Sequence, residues 1–151
     1  MNPALAPAES DPLLKTLADF RYELRRFLHF SESAAIDAGL HPQQHQLLLQ
    51  VAGAPEGTSV TIAYAAERLG LRHNSTVELV DRSAREGLLA RKTDAMDRRR
   101  AILHLTHKGK QVLGQLSGEH ARELNELGPH LERALKHIRL QTHVVARTVS
   151  R

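Results

Sequence analysis

"DRRRAILHLTHKG", residues 97–109, places an acid and three arginines on the lip of a short apolar run that closes on threonine. Upstream, "LLARKTDAMD" supplies a second short apolar piece and a polar turn. Two extended segments around a polar turn predict a hairpin, with strands at Leu88 to Lys92 and Arg100 to Leu105. Thr106 then has the hydroxyl and the position to cap a following helix. The arginines therefore stand at a hairpin tip, where a charge run by itself reads as a solvated turn and only what lies upstream can point to a partner.

Working back from the hairpin, the pattern is helical. "NSTVELVDRSAREG" predicts a helix with Leu79 and Val80 inward, Asn74, Ser75, Glu78, Arg82 and Arg85 outward, and Gly87 as its left-handed stop. Before it, "GLRH" is a tight connection, and Thr58 or Ser59 is expected to cap a helix whose positions Ile62, Ala65, Ala66 and Leu69 follow the 3.6 period. Two short helices joined this way make a helix-turn-helix. "HPQQHQLLLQVAG" opens another helix at Pro42 that stops at Gly53.

The ends read as longer amphipathic helices. Leu13, Leu17, Phe20, Leu24 and Phe27 recur at spacings of four and three behind Ser10 or Asp11 and Pro12, in a helix expected to end at Gly39. Val112, Leu113, Leu116, His120, Leu124 and Leu127 mark one face of a helix that "GP" at Gly128 and Pro129 is expected to break, and Leu131, Leu135, Ile138, Thr142 and Val145 line a last one. With no Trp, two Tyr and three Phe, the core must come from aliphatic residues, which favours helix.

Charge is concentrated rather than spread. Residues 67–110 hold 11 Lys and Arg against 6 Asp and Glu, a net of +5, while the rest holds 10 against 11, a net of −1. Sixteen of the 21 basic residues are Arg, the side chain that forks onto phosphates and base edges. The absence of cysteine removes disulfides, thiolate metal sites and thiol redox sensing. No glycine-rich phosphate loop, nucleophile elbow or HExxH run occurs, so no enzyme and no cofactor is expected. His41 and His45 lie one helical turn apart, but such pairs arise by chance among ten histidines; they read as solvated or hydrogen-bonded, and no metal site is assigned.

A helix-turn-helix followed at once by an arginine-tipped hairpin has the outline of a winged helix, and these residues resemble the MarR family of bacterial transcription regulators. Asp97, Arg99, Leu105, Thr106 and Gly109 fall at the spacing of that family's wing signature, "LHPQQHQLL" resembles its second-helix opening, and "AAERLGLRHNSTVELVDRSAREGLL" resembles its helix-turn-helix. His41 stands where the family usually has a threonine cap, so a weaker cap, or a cap by another group, is expected there; Ser83 stands where a buried leucine is usual.

The resemblance implies a mainly α fold with a small β-hairpin: a tail at residues 1–11, then one domain at 12–151. Within it, residues 12–40 and 106–147 form dimerisation helices and residues 41–105 a winged helix-turn-helix lobe. It implies a homodimer, built on its first, fifth and sixth helices, that binds double-stranded DNA at a palindromic operator. Arg72, His73, Asn74, Ser75, Glu78 and Arg82 face the major groove from the recognition helix, Arg99 enters the minor groove with Arg98 and Arg100 on phosphates, and Asp97 orients the wing. A cytoplasmic repressor released by a small-molecule effector is the function so implied, with no membrane partner. Two rivals stay open: an architectural DNA-binding protein without effector, and a winged-helix protein-interaction module.

Overall fold

The computed structural model describes the backbone of residues 11–149 and side chains as far as Gln141. The expected tail, Ser10 as a cap, and the side chains of Thr142 and Val145 lie outside the described residues. Five helices and one hairpin follow in the order α1 (Pro12–Asp37), α2 (Pro42–Ala52), α3 (Ile62–Leu69), α4 (His73–Arg85), β1 (Leu89–Thr93), β2 (Ala101–Leu105) and α5 (His107–Val149). The chain divides into two compact units, residues 31–120 and, from the two ends, residues up to 30 with those from 121 onward.

The unit of residues 31–120 owes its helices to local caps. The Gln43 N–H donates to Nδ1 of His41 (3.2 Å), and the His41 N–H donates to Oε1 of Gln44 (2.9 Å). His41 is therefore itself a working cap, rather than a weaker one or one replaced by another group, because an imidazole nitrogen accepts as a threonine hydroxyl would. Helix α3 starts two or three residues later than expected: Thr61, not Thr58 or Ser59, is its cap, accepting from the Tyr64 N–H (3.1 Å). The reason is tertiary. The Val60 carbonyl accepts the Leu103 N–H of β2 (2.8 Å), so the chain before Thr61 stays bound to the hairpin.

The strands pair antiparallel from Leu89 opposite Leu105 to Thr93 opposite Ala101, one residue later at each start than the sequence suggested. Leu89 and Leu103 are buried, and with Leu47, Leu48, Val80, Leu88 and Leu116 they form the core of this unit. Where α4 ends, Gly87 takes a φ of +73° and the Leu88 N–H donates to the Ser83 carbonyl (2.9 Å), the left-handed stop read from the sequence. Thr106 ties this junction to α5: its hydroxyl donates to the Gly87 carbonyl (2.6 Å) and accepts the Gly109 N–H (3.1 Å). A Cβ on Gly109 would lie 2.0 Å from the Leu88 carbonyl oxygen, so only glycine allows α5 to start this close to the hairpin.

In the other unit, Asp11 caps α1 by accepting the Leu13 N–H (2.9 Å). Its apolar residues are unevenly buried: Leu127 and Ala134 are covered, whereas Leu14, Leu24, Leu28, Leu124, Leu135 and Leu140 are exposed. The expected break at Gly128 and Pro129 does not occur, and Pro129 lies inside one continuous α5. Proline removes a single helical hydrogen bond, and its ring crowds the Cβ of the preceding residue, which Gly128 lacks. The expected sixth helix is therefore the second half of α5. No described helix is long and apolar enough to cross a membrane.

Candidate nucleic-acid interface

The turn between α3 and α4 is made by Gly70, at a φ of +64°, with the Leu71 N–H donating to the Ala66 carbonyl (3.0 Å). It sets α4 with Thr76, Leu79, Val80 and Ser83 buried and with Arg72, His73, Asn74, Ser75, Glu78 and Arg82 all exposed. The inward face tolerates Ser83 because its hydroxyl donates to the Leu79 carbonyl (2.8 Å), which satisfies the group inside the core. Arg72 precedes the first turn and makes no side-chain cap, so no side chain covers the leading N–H groups of α4 from that position. A helix start of this kind suits an anion, because the unpaired N–H groups and the helix dipole both favour negative charge.

On the outer face of α4, the side chains of His73, Asn74, Ser75, Glu78, Arg82 and Arg85 make no hydrogen bond or ion pair with any other described residue. Their donors and acceptors are all available. The face mixes two arginines, an amide, a hydroxyl, an imidazole and a carboxylate, a set able to contact phosphates and base edges alike.

The hairpin tip has an internal scaffold. Asp94 closes it: the Asp94 N–H donates to the Arg100 carbonyl (3.0 Å), and its carboxylate accepts the Met96 N–H (2.9 Å) and lies 3.8 Å from the Arg100 guanidinium. Asp97 accepts from the Arg99 N–H (3.0 Å) and from Nε of the same residue (3.2 Å), while Nη2 reaches its other oxygen at 3.4 Å. These hydrogen bonds from Arg99, first from the side chain and then from the backbone, hold the Asp97 carboxyl below the usual carboxylate range. The Arg99 side chain is nonetheless 91% exposed. Asp97 thus fixes the root of the guanidinium arm and leaves its outer edge open to solvent. Arg98 is exposed too, whereas Arg100 is partly engaged by Asp94.

Two contacts were not legible in the sequence. Arg91 on β1 forms an ion pair with Asp81 on α4 (Nη2 to Oδ1, 2.5 Å), which links the hairpin to the helix across ten residues. Inside the same unit, the buried His45 ring lies 4.8 Å from that of His120, whose Nε2 is 2.7 Å from the Ser31 hydroxyl. No motif marks either pairing, since each depends on how separate elements pack. His41 and His45 are put to different uses, a cap and a core contact, and no group of three His, Asp or Glu side chains able to hold a metal occurs among the described residues.

A model of the MarR family matches residues 38–100, the stretch that carries α2, α3, α4 and the tip of the hairpin. A candidate transcriptional regulatory protein for the hcr operon of Thauera aromatica is 26% identical over 114 residues, 76% of this chain and 67% of that protein. Residues 38–100 of the chain are thus similar to the MarR family. This is a family of transcription regulators, not of enzymes. Solved MarR-type structures share the fold at lower identity. CouR from Rhodococcus jostii RHA1, bound to p-coumaroyl-CoA, superposes with a TM-score of 0.66 at 20% identity, over 93% of this chain and 96% of that one. A MepR variant of S. aureus bound to an oligodeoxyribonucleotide gives 0.62 at 17%, over 86% and 94%. The winged helix-turn-helix fold expected for the chain is therefore the one it has.

Proposed function

We propose that the protein is a sequence-specific DNA-binding regulator, a repressor that works as a homodimer on a palindromic operator and leaves it when a small molecule binds. The observation that carries this reading is the pairing of an unengaged polar face on α4 with an exposed Arg99 held at its root by Asp97. In this reading α4 enters the major groove, with Asn74, Ser75, Glu78 and Arg82 at base edges and Arg72 and His73 toward phosphates. Arg99 enters the flanking minor groove, where a narrow A·T-rich stretch deepens the negative potential.

The relative bound to an oligodeoxyribonucleotide supports DNA as the partner, and the one bound to p-coumaroyl-CoA supports a small-molecule effector. A second copy is supported by the leucines that the end helices leave in solvent. Footprinting over the region upstream of the protein's own gene tests the reading. Wild type is expected to protect two half-sites about one helical turn apart, and Arg99→Ala to lose that protection while the protein keeps its melting temperature. Undiminished protection by the variant would refute the wing assignment.

A further inference from the structure

The ion pair between Arg91 and Asp81 calls for a reason other than stability. Its side chains are 35% and 49% exposed, and pairs in such surroundings contribute only about 0–1 kcal/mol. Its position is more telling. Asp81 lies on α4 one residue before Arg82 and four before Arg85, at the flank of the face that presents Glu78 and Arg82. A carboxylate four residues ahead of an arginine on a helix would ordinarily pair with it. Here Arg91 reaches over from β1 and takes Asp81 instead, and Arg82 and Arg85 are left without partners among the described residues.

We propose that Arg91 is a positioning residue for nucleic-acid binding, acting through Asp81 rather than by touching the duplex. This rests on the DNA-binding reading above. Phosphates flank a helix that lies in the major groove, and a bare carboxylate on its flank would repel them while drawing Arg85 away from them. By occupying Asp81, Arg91 removes that repulsion and leaves Arg82 available for base edges and Arg85 for the backbone.

The test is a double-mutant cycle on full-length protein, with a fluorescently labelled duplex from the region upstream of its own gene as probe. Arg91→Gln is expected to weaken binding on the order of tenfold and to make its dependence on salt shallower, because Asp81 then captures Arg85. Asp81→Asn alone is expected to bind at least as well as wild type. The double variant is expected to return to within about twofold of wild type, with the salt dependence restored and all four proteins melting alike. A double variant as weak as Arg91→Gln would overturn the proposal in favour of direct phosphate contact by Arg91, and an unweakened Arg91→Gln would overturn it outright. Wild-type protein that binds no fragment would overturn the DNA-binding reading itself, and this proposal with it.

Discussion

Residues 31–120 bury most of their leucines, whereas the two chain ends leave most of their described ones exposed. In the former, Leu47, Leu48, Leu88, Leu103 and Leu116 are at 1% exposure or less, whereas in the latter Leu14 is 64% exposed, Tyr22 61% and Leu140 56%. Both regions carry apolar residues at helical spacing, so the difference is not one of composition. The lobe closes its core with its own hairpin and caps. The end helices keep an apolar surface exposed, and, on the homodimer proposed above, the stability of that region should depend on protein concentration.

The largest effect is expected where the lobe is tightest. Gly109→Val puts a Cβ against the Leu88 carbonyl, and it should cost about 3 kcal/mol or more and lower the thermal midpoint of the lobe by over ten degrees, read by circular dichroism. Leu116→Ala, at a fully buried site, should cost about 3 kcal/mol whatever the protein concentration. Leu14→Ser with Leu140→Ser sharpens the contrast: sedimentation should show a weakened dimer, with a loss of melting temperature that grows on dilution. If that loss did not depend on concentration, the leucines would be serving the single chain, and the contrast between the regions would fail.

A smaller effect concerns acid. Burial, and then the neighbouring His120, hold the His45 pKa below its ordinary 6.5. The folded state thus favours neutral His45, and its contribution to stability is complete above about 6.5. That contribution is lost as the pH falls through 6.5, where the unfolded chain takes up the proton first. Urea midpoints measured at pH 7.5 and 5.5 should therefore fall more in wild type than in His45→Gln. The smallest effect is local: His41→Ala removes the side-chain cap of α2 and should cost about 1 kcal/mol, leaving the end helices unaffected.

Much of this was legible beforehand, for identifiable reasons. The hairpin, the stop at Gly87 and the inward pair Leu79 and Val80 follow from side-chain period and glycine chemistry, which act over a few residues. The late start of α3 was not legible, because it is set by a hydrogen bond from Leu103, more than forty residues away. The continuity of α5 through Pro129 was misread because the usual cost of proline was counted without the relief that Gly128 gives. Of the candidate site residues, the outward positions of α4 could be placed by periodicity. The use of Arg91 to occupy Asp81 could not, since nothing in the spacing favours that partner over Arg85.

The sequence by itself determined which segments could be helix or strand, where the positive charge gathers, and that Asp97 stands two residues from Arg99, all consequences of short-range sterics and pattern. Tertiary structure alone decided which charges remain available and which leucines remain uncovered. Those outcomes depend on distances between elements far apart in the chain, and packing fixes such distances only once the hairpin has docked on its helices.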